Sequence, residues 1–180
     1  MATEYKLIYF NARGKAEGIR FILAAGDQKY EDFRFEREQW PNLKPSMPFG
    51  QAPVLELKDG DETTHIAQSS AIARYLANKL GLAGKSELEK ARADMVVDQL
   101  NDLFTQYSQA MYYETDEVRK KEKIEKLYAE TFPSNFEMLE RLIKKQSTEF
   151  FASNEITWAD LIFAAALDLS LIHISQGIVR

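Results

Sequence analysis

Between Gly81 and Lys85 the hydrophobic pattern of this chain changes, and that change constrains the fold more than any other feature. Before it, short β-prone runs alternate with helical patterns; after it, every periodic segment is helical. Residues 5–10 (YKLIYF) are β-rich and aromatic enough for a strand buried on both faces. Residues 11–14 end that strand, and from Lys15 the residues Ile19, Phe21 and Ile22 fall at helical spacing, with Gly26 placed to stop the helix. Residues 30–35 read as a second strand, so the opening is a β-α-β unit with a parallel pair and a right-handed crossover. Residues 36–51 read as a loop, rich in proline (Pro41, Pro45, Pro48) and carrying an exposed Trp40. A strand beginning on Pro53, the pair Asp59-Gly60 and a β-prone run at 63–66 spell a hairpin. A helix from Ser69 then carries Ile72, Tyr75, Leu76 and Leu80 on one face. The expected order is β-α-β, loop, β-β-α.

The second half opens with Ser86-Glu87-Leu88-Glu89, a capping box that satisfies free amides at a helix start. A long helix runs to about residue 113, and a charged amphipathic stretch follows over 115–131. Pro133 is expected to break it before Phe136, Leu139, Leu142 and Ile143 resume helical spacing. A second box lies at TWAD (157–160), with Ile156 and Leu161 placed as a hydrophobic staple. The helix it opens is nearly all apolar over 161–169 and is expected at the centre of a core. The division is an α/β domain over 1–84 and an all-helical domain over 86–180.

Composition removes several classes of function. The net charge is -5, with 28 acidic and 23 basic side chains interspersed, so no basic stripe awaits a phosphate backbone. No apolar run reaches the roughly 20 residues of a membrane helix, and the first residues lack a secretory pattern, which makes the cytoplasm the expected address. Cysteine is absent, so the chain has no disulfide, thiolate metal site or nucleophilic cysteine of its own. Thiol chemistry, if any, must use a thiol brought by a substrate. His65 and His173 are too few for a histidine metal site and read as solvated or core-satisfied side chains.

Three motifs in order, YKLIYFNARGKAE (5–17), WPNLKPSMPFGQAPVL (40–55) and QSSAIARYL (68–76), together resemble the sigma-class glutathione S-transferases. That family also holds the glutathione-dependent prostaglandin D synthases and the lens S-crystallins. The TWAD box resembles the one that opens the core helix of the second domain in this superfamily. The resemblance covers nearly the whole chain and implies a thioredoxin-like β-α-β-β-β-α domain followed by a helical bundle. It implies glutathione as co-substrate, no resident cofactor, a hydrophobic electrophile and a homodimer.

A free thiol, with a pKa of about 8.5, is mostly protonated at neutral pH, whereas the thiolate is the nucleophile. The resemblance gives Tyr9 the task of donating a hydrogen bond to that sulfur, a contribution of about 1.5–3 kcal/mol when the partner is ionised. Arg13 and Lys15, in the turn after the strand, place cations where an anion is favoured. Lys15 stands where the family usually has arginine and keeps the charge without the planar fork. The resemblance further implies that Ala52, before a cis Pro53, pairs with the tripeptide through its main chain, beside Gly50 and Gln51. Trp40 and Lys44 match contacts to the glycine end. Gln68 and Ser69, at a helix start, suit the γ-glutamyl carboxylate, and Ser69 also reads as a simple cap.

Asp102 corresponds to a carboxylate that reaches the glutamyl ammonium across a two-fold interface. Asp98 and Asn101 neighbour it, and Asn101 stands where the synthases carry a third aspartate, so no metal site is expected. The electrophile's pocket is expected between the domains, near Leu103, Phe104, Tyr107 and Met111. Two departures stand out: residues 171–180 resemble nothing in the family, which reads as a variant, truncated or mis-assembled end that uncovers apolar surface on the core helix, and the hairpin at 59–64 is slightly long. Conjugation of glutathione to electrophiles, including lipid-peroxidation products, is the leading reading. A prostaglandin D isomerase and a non-catalytic crystallin-like binding protein are the alternatives.

Overall fold

Two apolar sets alternate along the first strand and organise everything packed around it. The computed structural model describes the backbone of residues 3–175 and the side chains of residues 3–167; the expectations on His173 and on the 171–180 end concern side chains outside these described residues. The chain divides into two compact units, Met1–Ala83 and Gly84–Arg180. In the first, β1 (Glu4–Phe10) pairs in parallel with β2 (Glu31–Phe35) and antiparallel with β3 (Val54–Asp59). β4 (Glu62–Ala67) completes the sheet, whose order is β2-β1-β3-β4. This is the expected α/β design, with the parallel pair where the β-α-β reading put it.

Side chains on a strand alternate between faces, so the register assigns each residue a side. Ile8 lies opposite Val54 and Phe33, and Phe10 opposite Phe35. On that face Ile8, Phe35, Met47 and Val54 form a buried cluster to which Phe10, Phe33, Trp40 and Leu43 add partly buried rings and methyls. On the other face Leu7 and Leu55 are fully buried. That face is covered by α1 (Glu17–Ala25), through Ile19, Ile22 and Leu23, and by α3 (Ser69–Lys79), through Ile72 and Leu76. Lys79 at the end of α3 lies 5.4 Å from the Tyr5 ring centroid, which puts this helix on the side of the odd-numbered β1 residues.

The segment expected as a plain loop is instead wound into short helical turns, Arg37–Gln39, α2 (Trp40–Leu43) and Lys44–Ser46. Proline at the first helical positions is compatible with these turns because its missing N–H has no partner there in any case. Trp40 is half-buried rather than exposed: its ring stacks on Phe35 at 5.6 Å with an interplanar angle of 6° and meets Phe10 at 5.2 Å. Aromatic burial against the sheet is what turns the segment back and fastens it. The hairpin loop is Gly60-Asp61, one residue later than the Asp-Gly pair suggests, with the required positive φ (+60°) at Gly60. The first helical residues, Gly14–Ala16, form a 3₁₀ turn before α1 begins at Glu17.

Every regular element of the second unit among the described residues is helical. α4 (Glu87–Ser108) starts with the expected capping box, Glu89 N–H donating to Ser86 Oγ and the Glu89 carboxylate accepting from the Ser86 amide. The Ser86 and Lys85 backbone amides, both donating to the Glu89 carboxylate, hold that carboxyl below its usual range. α4 continues into a π-helical turn, Gln109–Tyr113. Pro133 does not break the following helix: α5 (Glu117–Lys126), a π turn (Leu127–Thr131) and α6 (Phe132–Gln146) run on continuously. The π turn ends just before the proline and widens the backbone where its ring would meet the carbonyl four residues back.

At the start of α7 (Trp158–Ser175) only half of the second capping box forms. The Thr157 amide and hydroxyl both donate to Asp160 Oδ2 at 2.8 Å, while Asp160 Oδ1 accepts the Phe151 amide at 2.9 Å. Asp160 thus ties the preceding loop to the helix. Ile156, expected as half of a staple, is 42% exposed. Trp158 and Ala159 are buried, yet Leu161, Ile162 and Phe163 are half-buried and Ala164 is exposed, so among the described side chains of α7 only those of the first turn form the core expected.

Arg20 is the one charge that the described residues of the first unit bury deeply, at 6% exposure; its Nε and Nη1 are paired, while its buried Nη2 has no hydrogen-bond partner. Its Nε donates to both oxygens of Asp32 at 3.1 and 3.3 Å, and its Nη1 donates to Glu17 Oε2 at 2.8 Å and to the Ala12 carbonyl at 3.0 Å. Replacing it with methionine keeps the volume but takes the donor from Glu17 and the Ala12 carbonyl and leaves Asp32 with Arg34 alone. Urea unfolding of Arg20→Met is expected to show a loss of roughly 3 kcal/mol. The exposed pair Lys85–Glu155 serves as contrast, since Lys85→Met is expected to leave the midpoint unchanged.

Candidate active site

The register brings the candidate residues of the first unit to one end of the sheet. β1 runs toward this end and finishes at Tyr9 and Phe10; β3, antiparallel to it, begins here at Val54; β4 returns here and finishes at Ala67. Tyr9 and the 11–16 turn, residues 50–53 and residues 68–69 therefore lie around one edge, where loops join a fixed scaffold. Three segments far apart in sequence meet because two antiparallel pairings fold them together.

Tyr9 shares the helix-covered face with Leu7 but lies one step beyond it, where the chain turns back toward α1. Its hydroxyl accepts the Lys15 backbone N–H at 3.2 Å. An oxygen that accepts a hydrogen bond is a better donor of its own proton, because the two bonds polarise each other. The turn that presents the Lys15 amide is held in place from below. The Asn11 amide donates to the Phe35 carbonyl at 2.9 Å, Arg20 binds the Ala12 carbonyl, and the Asn11 side chain reaches Glu36 at 2.9 Å. Arg13 and Lys15 are both exposed on this turn.

Around the start of β3, the Ala52–Pro53 peptide is cis. The β1–β3 ladder ends at Ile8–Val54, so the main chain of Ala52 lies beyond the sheet's own pairing. Gly50 has φ +58°, and a Cβ there would sit 3.4 Å from Lys44 Cε, so the stem of Lys44 passes close over the bare glycine. Gln51 is exposed and accepts a bond from Gln68 Nε2 at 3.1 Å, joining the second and third segments. Trp40 belongs to the buried aromatic cluster of the opposite face, so its ring anchors the segment that carries Lys44.

Gln68, rather than Ser69, occupies the cap position of α3, and it caps with no side-chain bond. Its backbone is at φ 72°, ψ 116°, a conformation that costs a non-glycine residue about 1–3 kcal/mol. Ser69 is the first helical residue, so its amide is among those at the helix start with no partner inside the helix. Asp102 is exposed on α4 of the second unit, as is Asp98, with Asn101 half-buried beside them. Among the described residues no group of three or more His, Cys, Asp or Glu side chains is placed to hold a metal. His65 is solvated and pairs with Glu56 at 3.0 Å.

The arrangement offers one polarised hydroxyl, three exposed cations, a helix start and, at Ala52, main chain outside the sheet's ladder, all at one edge. That suits an extended, anionic ligand with a group to be held as an anion. The glutathione S-transferase N-terminal domain model matches residues 5–78, and the glutathione S-transferase C-terminal domain model matches residues 101–178. The hematopoietic prostaglandin D synthase of Mus musculus is 45% identical over 87% of this chain and 74% of its own length.

The chain belongs to the glutathione S-transferase family.

Glutathione S-transferase S1 of Drosophila melanogaster is 42% identical over 91% of this chain, which spans 64% of that relative's length. Among solved structures, prostaglandin synthase D of Nilaparvata lugens superposes with a TM-score of 0.86 at 41% identity, covering 96% of this chain and 83% of that one. The family's two-part architecture, a thioredoxin-like unit and a helical unit, is thereby the architecture of this chain, and relatives named as transferases make it an enzyme of that class. Two residues of this glutathione transferase site escape a reading by residue type. Gly14 abuts the Tyr9 hydroxyl, and Arg20 holds the turn; a glycine directly between a strand and a helix is the signal that points to the first.

The strain at Gln68 gives a direct test of the site's construction. Gln68→Gly is expected to raise the urea midpoint, by an amount worth roughly 1 kcal/mol, because glycine adopts positive φ without the steric cost even after its own entropy is counted. A lowered midpoint would mean that the Gln51 contact outweighs the backbone strain.

Proposed function

We propose that this enzyme is a sigma-class glutathione transferase that binds glutathione at the end of its sheet and holds the thiol as a thiolate through the Tyr9 hydroxyl. The thiolate then attacks a hydrophobic electrophile, forming a carbon–sulfur bond as a halide leaves an aromatic ring or as an α,β-unsaturated carbonyl takes the electron pair and then a proton from solvent, and the conjugate is released for detoxification. The observation that carries this reading is the Lys15 N–H bond to the Tyr9 oxygen, which fixes the hydroxyl at the edge where the other candidate groups gather. Arg13 and Lys15 add positive potential beside the sulfur. Ala52 pairs with the tripeptide backbone, Gly50, Gln51 and Pro53 shape that strand-like edge, and Lys44 with Trp40 receives the glycine end. Gln68 and Ser69 receive the γ-glutamyl carboxylate at the start of α3.

The reading includes a cytoplasmic homodimer in which Asp102 reaches the glutamyl ammonium of the glutathione bound to the other subunit. It needs no resident metal or cofactor. Glutathione is a co-substrate and is consumed.

A second reading, glutathione-dependent prostaglandin D isomerisation, is favoured by the 45% identity to the mouse synthase. The resemblance to the vertebrate synthases aligns their wall tryptophan with Gln109, which here is exposed at the start of the π turn. An indole to stack on the lipid ring is absent from that position. Conjugation is therefore the better reading.

Tyr9→Phe removes one oxygen and conserves the ring. The apparent pKa of bound glutathione is expected to rise by roughly one to two units, and turnover at neutral pH to fall about ten- to a hundredfold, with binding and folding retained. Unchanged turnover would remove Tyr9 from the mechanism. Asp102→Ala is expected to weaken glutathione binding in the dimer, and a monomer binding as tightly as the dimer would contradict its action in trans. With purified enzyme, small aromatic halides and α,β-unsaturated aldehydes are expected to be conjugated readily. Efficient, product-selective prostaglandin D formation would instead promote the second reading.

A further inference from the structure

The Tyr9 hydroxyl is bounded on one side by the Lys15 amide and on another by the bare α-carbon of Gly14. Gly14 has φ +42°, and a Cβ built on it would lie 2.6 Å from the Tyr9 hydroxyl oxygen and 3.3 Å from ring atoms Cε1 and Cζ. Ordinary carbon–oxygen contacts fall at about 3.3–3.6 Å, so a methyl group there forces the hydroxyl back by roughly 1 Å. The ring is half-buried, and any tilt away from such a methyl carries the hydroxyl off the Gly14–Lys15 peptide. Tyr9 lies in the ladder between β1 and β2, opposite Arg34, and its ring rests edge-on against Phe10 at 5.7 Å.

Two other glycines at positive φ do a different job. Gly60 (φ +60°) and Gly81 (φ +75°) have nothing within 4 Å of a built Cβ, so each supplies only a turn. Gly14 supplies a turn and a vacancy. The vacancy is filled by the one hydroxyl that the proposed chemistry uses.

We propose that Gly14 is a positioning residue for the conjugation reaction: its missing side chain lets the Tyr9 hydroxyl settle against the Gly14–Lys15 peptide, where the Lys15 amide fixes and polarises it. The inference rests on the assignment of Tyr9 above and adds a second group to it. The Lys15 residue acts here through its backbone, independently of its ammonium. A hydroxyl pushed off that peptide loses the bond that polarises it and the direction in which it donates. Displacement of a reacting-site group by about 1 Å commonly costs on the order of 10²-fold in rate.

The experiment compares Gly14→Ala, Gly81→Ala, Tyr9→Phe and the Gly14→Ala/Tyr9→Phe double variant in the full-length enzyme. The readouts are the thiolate absorbance of bound glutathione against pH, kcat/KM against pH, and the urea midpoint. Gly14→Ala is expected to raise the thiol pKa by about one unit and to lower kcat/KM at neutral pH about 10- to 100-fold. Gly81→Ala carries comparable backbone strain and is expected to lower the midpoint alone. On the Tyr9→Phe background, Gly14→Ala is expected to change the thiol pKa no further, since the two act as one unit.

An unshifted pKa in Gly14→Ala, or effects that add in the double variant, would overturn the proposal. Should Gly14→Ala fail to fold, the double variant, which lacks the clashing oxygen, is expected to recover folding; if it stays unfolded, the proposal fails. A Tyr9→Phe enzyme with an unshifted thiol pKa would instead refute the assignment of Tyr9 itself, so the two failures are told apart.

Discussion

The buried guanidinium of Arg20 is the interaction on which the site's geometry rests. A single side chain on α1 reaches down to Asp32 on β2, across to Glu17 at its own helix start, and up to the carbonyl of Ala12 in the turn. Burying a cation is costly unless its partners are in place, so with Nη2 left unpartnered the burden falls on the bonds made by Nε and Nη1. That condition gives the turn after β1 a fixed path. The Lys15 amide is placed by that path, and the Tyr9 hydroxyl is placed by the amide. The chain of dependence runs from a buried charge to a polarised proton.

Strand direction does the remaining work. One parallel and two antiparallel pairings put the end of β1, the start of β3 and the end of β4 at the same edge of the sheet. The groups gathered there have complementary characters: cations from the 11–16 turn and from Lys44, main chain outside the ladder at Ala52, and the amides at the start of α3. Local irregularities are concentrated at this edge as well. The positive φ values of Gly14, Gly50 and Gln68 and the cis Ala52–Pro53 peptide all border it. Among the described residues, the opposite end of the sheet carries the Gly60-Asp61 hairpin turn, Asp27 at positive φ in the turn before β2, and ordinary surface pairs such as Lys6–Glu31.

Much of this was legible in the residues. The β-rich, aromatic run at residues 5–10 and the β-α-β order define the parallel pair, and the Ser86–Glu89 box marks the start of α4 where it stands. Trp40 was misread because a tryptophan among prolines looks solvent-facing, whereas long-range stacking on Phe35 decides its burial. Pro133 was misread because a proline ends a regular helix, yet a π turn accommodates it without ending anything. α7 is apolar all round, and its half-exposed residues beyond the first turn depend on what packs against it, which periodicity does not encode. Tyr9, Lys44, Gln51, Gln68 and Ser69 were identified by motif, while the roles of Gly14 and Arg20 depend on contacts between a strand, a turn and a helix that no local pattern announces.

The central claim is that a single polarised hydroxyl, set by backbone geometry, holds the glutathione thiol as its anion. Titration of glutathione bound to the unmodified enzyme, followed by thiolate absorbance, tests it most directly. The account predicts an apparent pKa roughly one to two units below the value of about 8.5 for a free thiol. A bound thiol that titrates at the free value would contradict it.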